Sequence, residues 1–263
     1  MADLEYTVED GIGTILLNRP QLKNAFTFEM IDQWAQALRS ARTDPAVRVV
    51  VVTGAGGAFC SGVDLDEFNT QASGPFELKS ALTDRIHRVA YALEDLDKPV
   101  IAAVNGVAMG GGFEIALACD LIVASENAIF ALPEPRVGLA ALAGGLHRLP
   151  RQIGLKRAMG MILTGRRVSA REGLELGFVN EVTAPGDLMT AARRWAGLIG
   201  ECSPMSVRAS KEAAMRGLDE PSLQAALKNQ SSYPSVAALY GSEDFKEGPR
   251  AFAERRPPQW QGR

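Results

Sequence analysis

The stretch Ala102–Glu114, AAVNGVAMGGGFE, constrains this chain more than any other. An apolar run, Pro99–Val104, leads into it and reads as a buried strand. The chain turns at Asn105-Gly106, and the consecutive glycines Gly110, Gly111 and Gly112 then open a helix expected over Phe113–Ala118. Glycines at a helix start let another group come close to the backbone, because no Cβ stands in the way. The first N–H groups of a helix lack a partner four residues back and face outward as donors, and the helix dipole adds partial positive charge. Such a turn suits something negative. One turn inside it stands Glu114, a carboxylate among Phe113, Ile115 and Leu117. The same residues also fit a purely structural role, with glycines permitting tight packing and Glu114 as a first-turn carboxylate favoured by the dipole.

The segments before and after supply a frame. Leu4–Val8 and Thr14–Leu17 flank Gly11-Ile12-Gly13 as a hairpin. Phe28–Ala41 places Ile31, Trp34, Ala35 and Leu38 at helical spacing and stops at Asp44-Pro45. Val47–Thr53 (VRVVVVT) reads as a strand buried on both faces, the parallel-sheet type. Gly54–Gly62 is a second glycine-rich loop, Gln71–Gly74 a small-residue loop, and Pro75–Leu96 a long amphipathic helix. Asp120–Ser125 and Ala128–Leu132 read as short strands. Between Pro133 and Pro135, Glu134 is expected to be held extended, because a residue before proline avoids the helical region. Helices follow over Gly144–Ile153, Lys156–Leu163 and Ser169–Leu176, the last with a capping box from Ser169 and Glu172. A strand is expected at Phe178–Val182, then helices at Leu188–Ile199, Ser206–Arg216, Ser222–Tyr240 and Glu243–Glu254. The pattern is α/β: strand–strand–helix units over residues 1–185, then a helical part over 186–263.

Bulk composition narrows the partners. The 263 residues are 46% hydrophobic and 22% charged, enough for one large domain or a domain with an appendage, and the net charge of −3 gives no support to nucleic-acid binding. No apolar run reaches the roughly 20 residues of a membrane span, and the acidic start MADLEYTVED lacks the apolar core of a signal peptide. Cys60, Cys119 and Cys202 have no paired spacing, which places the chain in a reducing compartment, the cytoplasm. His87 and His147 belong to no metal-binding pattern, so no metal is expected and packing or surface roles fit both better than catalysis. Arg148, Arg151, Lys156, Arg157, Arg166 and Arg167 read as a solvated face or subunit contact rather than a phosphate site.

Two glycine-rich turns each follow a strand, and each could direct one backbone N–H to a common point: Val63, just past Ser61-Gly62, and Gly111. Converging N–H groups form an oxyanion hole for a carbonyl oxygen that gains charge. Glu114 and Glu134 are placed to serve the same point, and paired carboxylates beside an oxyanion hole suit proton transfer next to a carbonyl. Competing motifs fail. Gly54–Phe59 lacks the third glycine of a dinucleotide fingerprint, Gly57–Gly62 is followed by Val63-Asp64 rather than Lys-Ser/Thr, and Ser61 sits in no nucleophile elbow.

The chain resembles the crotonase (enoyl-CoA hydratase/isomerase) superfamily nearly end to end. The resemblance rests on Leu17-Asn18-Arg19-Pro20, Lys23-Asn24-Ala25, Ala58–Leu65, Ala103–Gly106, Gly110–Glu114, Cys119-Asp120, Pro133-Glu134, Gly144-Gly145 with Arg148-Leu149, Leu163-Thr164-Gly165, Gly177–Asn180, Ser210-Lys211 and Phe245–Gly248. It implies a spiral of ββα units with a helical C-terminal trimerisation region, a homotrimer or dimer of trimers, and an acyl-CoA substrate whose coenzyme A is no separate cofactor. By position it implies Val63 and Gly111 as the oxyanion-hole donors and a CoA cleft lined by Lys23, Ala25, Ser61, Asp64 and Leu65. Hydratases of the family keep two acidic residues, here Glu114 and Glu134, which favours hydration over isomerisation. Glu114 is assigned to the water and Glu134 to Cα, with the reverse assignment open. Gly144-Gly145-Leu146-His147-Arg148-Leu149, Gly112-Phe113-Glu114 and Ala131–Glu134 look more like the carnitinyl-CoA dehydratase branch, with the acyl pocket expected around Gln71–Ser80 and Leu139–Leu142. A Δ3-Δ2 isomerase or specialised dehydratase on the same scaffold is the alternative, and a CoA-binding protein without catalysis the reading from another class.

Overall fold

The computed structural model describes residues 2–71 and 87–263. The expected helix over Pro75–Leu96 lies largely outside that range; its described end is the helix His87–Glu94.

The backbone alternates long strands and short ones. The long strands are β1 (Leu4–Glu9), β2 (Ile12–Leu17), β3 (Val49–Gly54), β5 (Val100–Val104), β7 (Leu121–Ser125) and β10 (Glu181–Thr183). They form a six-stranded sheet in the order β1-β2-β3-β5-β7-β10, with the β1–β2 hairpin antiparallel and the other pairs parallel. The short strands β4 (Ala58–Cys60), β6 (Val107–Met109), β8 (Ile129–Ala131) and β9 (Val168–Ser169) form a second sheet in that order. Each turn of chain therefore adds one strand to each sheet. Val50 pairs with Val100 in the first and Ala58 with Val107 in the second. One unit later Ile101 pairs with Leu121 and Val107 with Ile129. This is the expected ββα spiral.

The doubly buried strands explain themselves. Along β3, Val50 and Val52 enter the core between the sheets, while Val49 and Val51 face an opposite core. Side chains alternate across a strand, so only an uninterrupted apolar run can fill both. The first core also takes helix α1 (Phe28–Thr43), capped by the Thr27 hydroxyl, which accepts the Met30 N–H. The opposite core is closed by Leu188, Ala191, Ala192 and Ala196 of helix α8 (Leu188–Gly200). The helical region thus begins as part of the main fold.

Between α1 and α8 lie α2 (Leu65–Gln71), α3 (His87–Glu94), α4 (Gly111–Ala118), α5 (Gly145–Ile153), α6 (Leu155–Ile162) and α7 (Ala170–Leu176). Beyond come α9 (Pro204–Gly217), α10 (Leu223–Asn229), α11 (Pro234–Gly241) and α12 (Glu243–Glu254). The single helix expected over Ser222–Tyr240 is two, broken at Pro234, which starts α11 because its ring cannot continue a helix. The Gly54–Gly62 loop contains β4, and the strand expected at Phe178–Val182 is displaced to Glu181–Thr183. No described helix is long and apolar enough to cross a membrane.

Candidate active site

Helix α4 begins at Gly111, two residues earlier than expected, and its start lies against β4. A Cβ on Gly112 would come within 2.1 Å of the Cys60 carbonyl oxygen, so only glycine allows this approach. Behind the start, Phe113 packs with Phe130 and Phe178, ring centroids 5.2 Å apart in each pair. That cluster fixes the helix axis and so the aim of Glu114.

Val63 faces this turn from the other side. Phe26 N–H donates to the Gly62 carbonyl and Asp64 N–H to the Phe26 carbonyl, a parallel bridge that turns the Val63 N–H away from the Phe26 segment. A Cβ on Gly62 would stand 3.2 Å from the Gly111 nitrogen. Among the described residues no carbonyl accepts the N–H of Val63 or of Gly111.

Both glutamates reach the same place. Glu114 is buried, and its Oε1 accepts the Gly145 N–H at 2.8 Å. Burial pushes its carboxyl up to about 7; the Gly145 N–H opposes that rise and the Glu134 charge adds to it. Glu134 is raised too, chiefly by burial, and its Oε2 is buried without a partner. Its backbone corrects an expectation: Glu134 is not extended but starts a 3-10 turn, Glu134–Val137. The Glu134 carbonyl accepts the N–H groups of Gly138 and Leu139, and the Pro133 carbonyl accepts that of Arg136. Those bonds outweigh the local preference imposed by Pro135. The turn brings the Glu134 carboxyl against Gly110, where a Cβ would meet Oε1 at 3.0 Å.

The two carboxyls and both N–H positions line one cavity of about 190 Å³. Its remaining wall includes Ser61, Leu65, Val137, Leu139 and Leu142. The structure therefore gathers Ser61, Val63, Leu65, Gly111, Glu114 and Glu134 at one place. Lys23, Ala25 and Asp64 do not line it. Lys23 is left-handed (φ 51°) and its carbonyl accepts the Ser61 N–H at 3.0 Å. Asp64 pairs with Arg19 at 3.0 Å and accepts the Glu67 N–H at the start of α2. Burial alone would raise the Asp64 carboxyl, but the Glu67 N–H and Arg19 hold it below its usual range. These residues brace the loop that carries Ser61 and Val63. The Gln71–Ser80 part of the expected acyl pocket lies outside the described residues apart from Gln71. Of the Leu139–Leu142 part, Leu139, Ala140 and Leu142 are on the cavity wall, while Ala141 turns into the core. Among the described residues no group of three or more His, Cys, Asp or Glu could hold a metal ion.

A model of a family described as enoyl-CoA hydratase/isomerase matches residues 7–263. The chain belongs to the enoyl-CoA hydratase/isomerase family. It is similar to a carnitinyl-CoA dehydratase of Proteus mirabilis, 39% identical over 275 residues that cover 99% of this chain and 98% of that one. It is also similar to the (E)-benzylidenesuccinyl-CoA hydratase of Thauera aromatica, at 40% over 97% of each chain. Among solved structures, an enoyl-CoA hydratase from Bacillus anthracis superposes with a TM-score of 0.92 at 34% identity, with both chains fully covered. These relatives put the chain in the crotonase superfamily, among enzymes of the hydro-lyase type and near the carnitinyl-CoA dehydratase branch.

Within this family frame, the sequence reading passed over Gly145 and Arg148 as site residues. Gly145, like Gly111, is a glycine at a helix start, here with its N–H on the Glu114 carboxylate, and the repeat of a glycine-rich helix start at Gly144-Gly145 was the available signal. Arg148 is no solvated cation. Its side chain is 14% exposed and paired with Glu94. Arg151, Lys156, Arg157 and Arg167 are exposed as expected; His147 is exposed too, rather than packed, and does not line the cavity.

Proposed function

We propose that this protein adds water across the 2,3 double bond of an enoyl-CoA thioester. Water oxygen bonds to Cβ as Glu114 takes its proton, and Glu134 delivers a proton to Cα. Between these events the thioester oxygen carries enolate charge, which the N–H groups of Val63 and Gly111 hold. The observation that carries the reading is the pair of carboxyls, both raised by burial, on one apolar cavity beside two N–H groups without carbonyl partners. A carboxyl near 7 is poised both to accept and to return a proton at neutral pH. A dehydratase such as the carnitinyl-CoA relatives would run the same steps in reverse. The coenzyme A moiety enters with the substrate along the Lys23–Ala25 and Ser61–Leu65 segments, and no further cofactor is needed. Cys60, Cys119 and Cys202 are free thiols, in keeping with a cytoplasmic site of action.

The test is product analysis in ¹⁸O-labelled water with crotonyl-CoA and a 3-enoyl-CoA offered separately. Hydration predicts one labelled oxygen in 3-hydroxybutyryl-CoA. Migration of the double bond in the 3-enoyl substrate, with no label taken up from either, would make the protein an isomerase. Binding of both without any product would leave it a CoA-binding protein.

A further inference from the structure

The loop before α5 holds the group that sets Glu114, and that loop is itself held from one side. Arg148 reaches in two directions. Its Nε donates to Glu94 Oε1 at 2.7 Å, its Nη2 lies 2.5 Å from the same oxygen, and its Nη1 donates to the Ala143 carbonyl at 3.0 Å. Glu94 is the last residue of α3, so the guanidinium ties that helix end to the loop. The next residues show why the tie matters. Gly144 is left-handed (φ +114°), and a Cβ there would lie 1.7 Å from Arg148 Nη1, so the guanidinium covers this glycine directly. Gly145 follows, with its N–H on Glu114 Oε1. A flexible glycine pair would leave that N–H free to wander, whereas a planar fork bonded on two sides fixes it.

We propose that Arg148 is a positioning residue: by bridging Glu94 to the Ala143 carbonyl it holds the Gly145 N–H on the Glu114 carboxyl. It does not line the cavity; it acts on Glu114 through the Ala143–Gly145 loop it holds and, more weakly, through its charge. The proposal rests on Glu114 being the group that takes the proton of water. The charged groups acting on Glu114 are Glu134 from the 3-10 turn, which raises its carboxyl, and Arg148 from α5, which lowers it and is itself paired with Glu94 of α3. The Gly145 N–H and the Arg148 charge both draw the Glu114 carboxyl downward. Loosening the fork therefore raises it, and less of Glu114 is ionised at a given pH.

The experiment compares wild type, Arg148→Lys and Arg148→Gln by two readouts. One is the titration midpoint of the Glu114 carboxyl from infrared difference spectra, its band assigned by loss in Glu114→Gln. The other is kcat and KM on crotonyl-CoA below neutral pH. Arg148→Lys keeps the charge and the stem but not the fork. We expect its midpoint to rise and its kcat to fall by about tenfold or more, with KM within about twofold. Arg148→Gln is expected to move at least as far. A midpoint and kcat for Arg148→Lys equal to wild type would overturn the proposal, since charge alone would then suffice. A lowered melting temperature with an unmoved midpoint would overturn it as well, leaving a role in stability only. If wild type adds no water to crotonyl-CoA, the proposed hydration falls, and the midpoint comparison alone decides the role of Arg148.

Discussion

Glu114 is a carboxyl that the fold makes uncomfortable as an anion. Its ordinary value of 4.5 is pushed up to about 7 by burial among apolar side chains, against the pull of the Gly145 N–H. The sign of the consequence follows from linkage. Below about pH 4.5 the carboxyl is protonated folded or unfolded and adds nothing. As pH rises from there to about 7 the unfolded chain ionises first, so the native state loses stability, and above 7 the loss is complete. The gap corresponds to about 3 kcal/mol. Glu114→Gln removes the titration. Urea unfolding should show the variant gaining on wild type by a few kcal/mol between pH 5 and pH 8. An equal difference at both pH values would mean that Glu114 is not perturbed. The strain sits where the proposed chemistry needs a proton acceptor near neutrality.

At the scale of elements, the site is made by two starts of helices and one tight turn. Gly111 opens α4 with its N–H lacking a carbonyl partner, and proline is tolerated at such a first position while removing the N–H. A Cβ at Gly111 would stand 2.9 Å from Phe26 Cζ, so that buried ring must shift; Gly111→Pro protein that keeps a near-native circular dichroism spectrum should lose about 10²–10³ in kcat on crotonyl-CoA, with a smaller change in KM. Full rate in a folded variant would remove Gly111 from the oxyanion hole. The elements differ in how far they were legible. Strands β3, β5 and β7 were plain, because runs such as Val49–Val52 satisfy two cores and hence show no alternation. Strands β4 and β6 are three residues each and pair with one another across about 50 positions of chain, so local pattern carries little trace of them, whereas β8 lies inside the short strand expected at Ala128–Leu132. Glu114 was legible because a carboxylate in an apolar first turn is unusual. Glu134 was legible as a residue but not in its backbone, since bonds to Gly138 and Leu139 decide the turn. Arg148 was misread because nothing near it in sequence reveals Glu94.

On the scale of the whole molecule, the C-terminal helices are thinly packed as a single chain. Their own cluster is Ala209, Tyr233 and Val236, while Phe252 is 88% exposed, Leu223 76% and Leu218 70%. We propose that these open apolar side chains belong to a contact between copies of the chain. A homotrimer or dimer of trimers would cover them, as the proposed oligomerisation role of residues 186–263 requires. Light scattering on the eluted protein should give three or six times the 28.1 kDa chain mass, and Leu223→Asp with Phe252→Asp should lower it. A monomer that hydrates crotonyl-CoA at full rate would separate the site from assembly.

The proposed hydration needs both glutamates at one site. Its most direct test is the loss of conjugated enone absorbance of crotonyl-CoA with wild type, Glu114→Ala and Glu134→Ala measured side by side. Hydration by wild type and a fall of about a hundredfold or more in each variant are expected, general acid–base partners contributing on that order. A crippled Glu134→Ala beside a fully active Glu114→Ala would contradict it and leave a single-carboxylate mechanism.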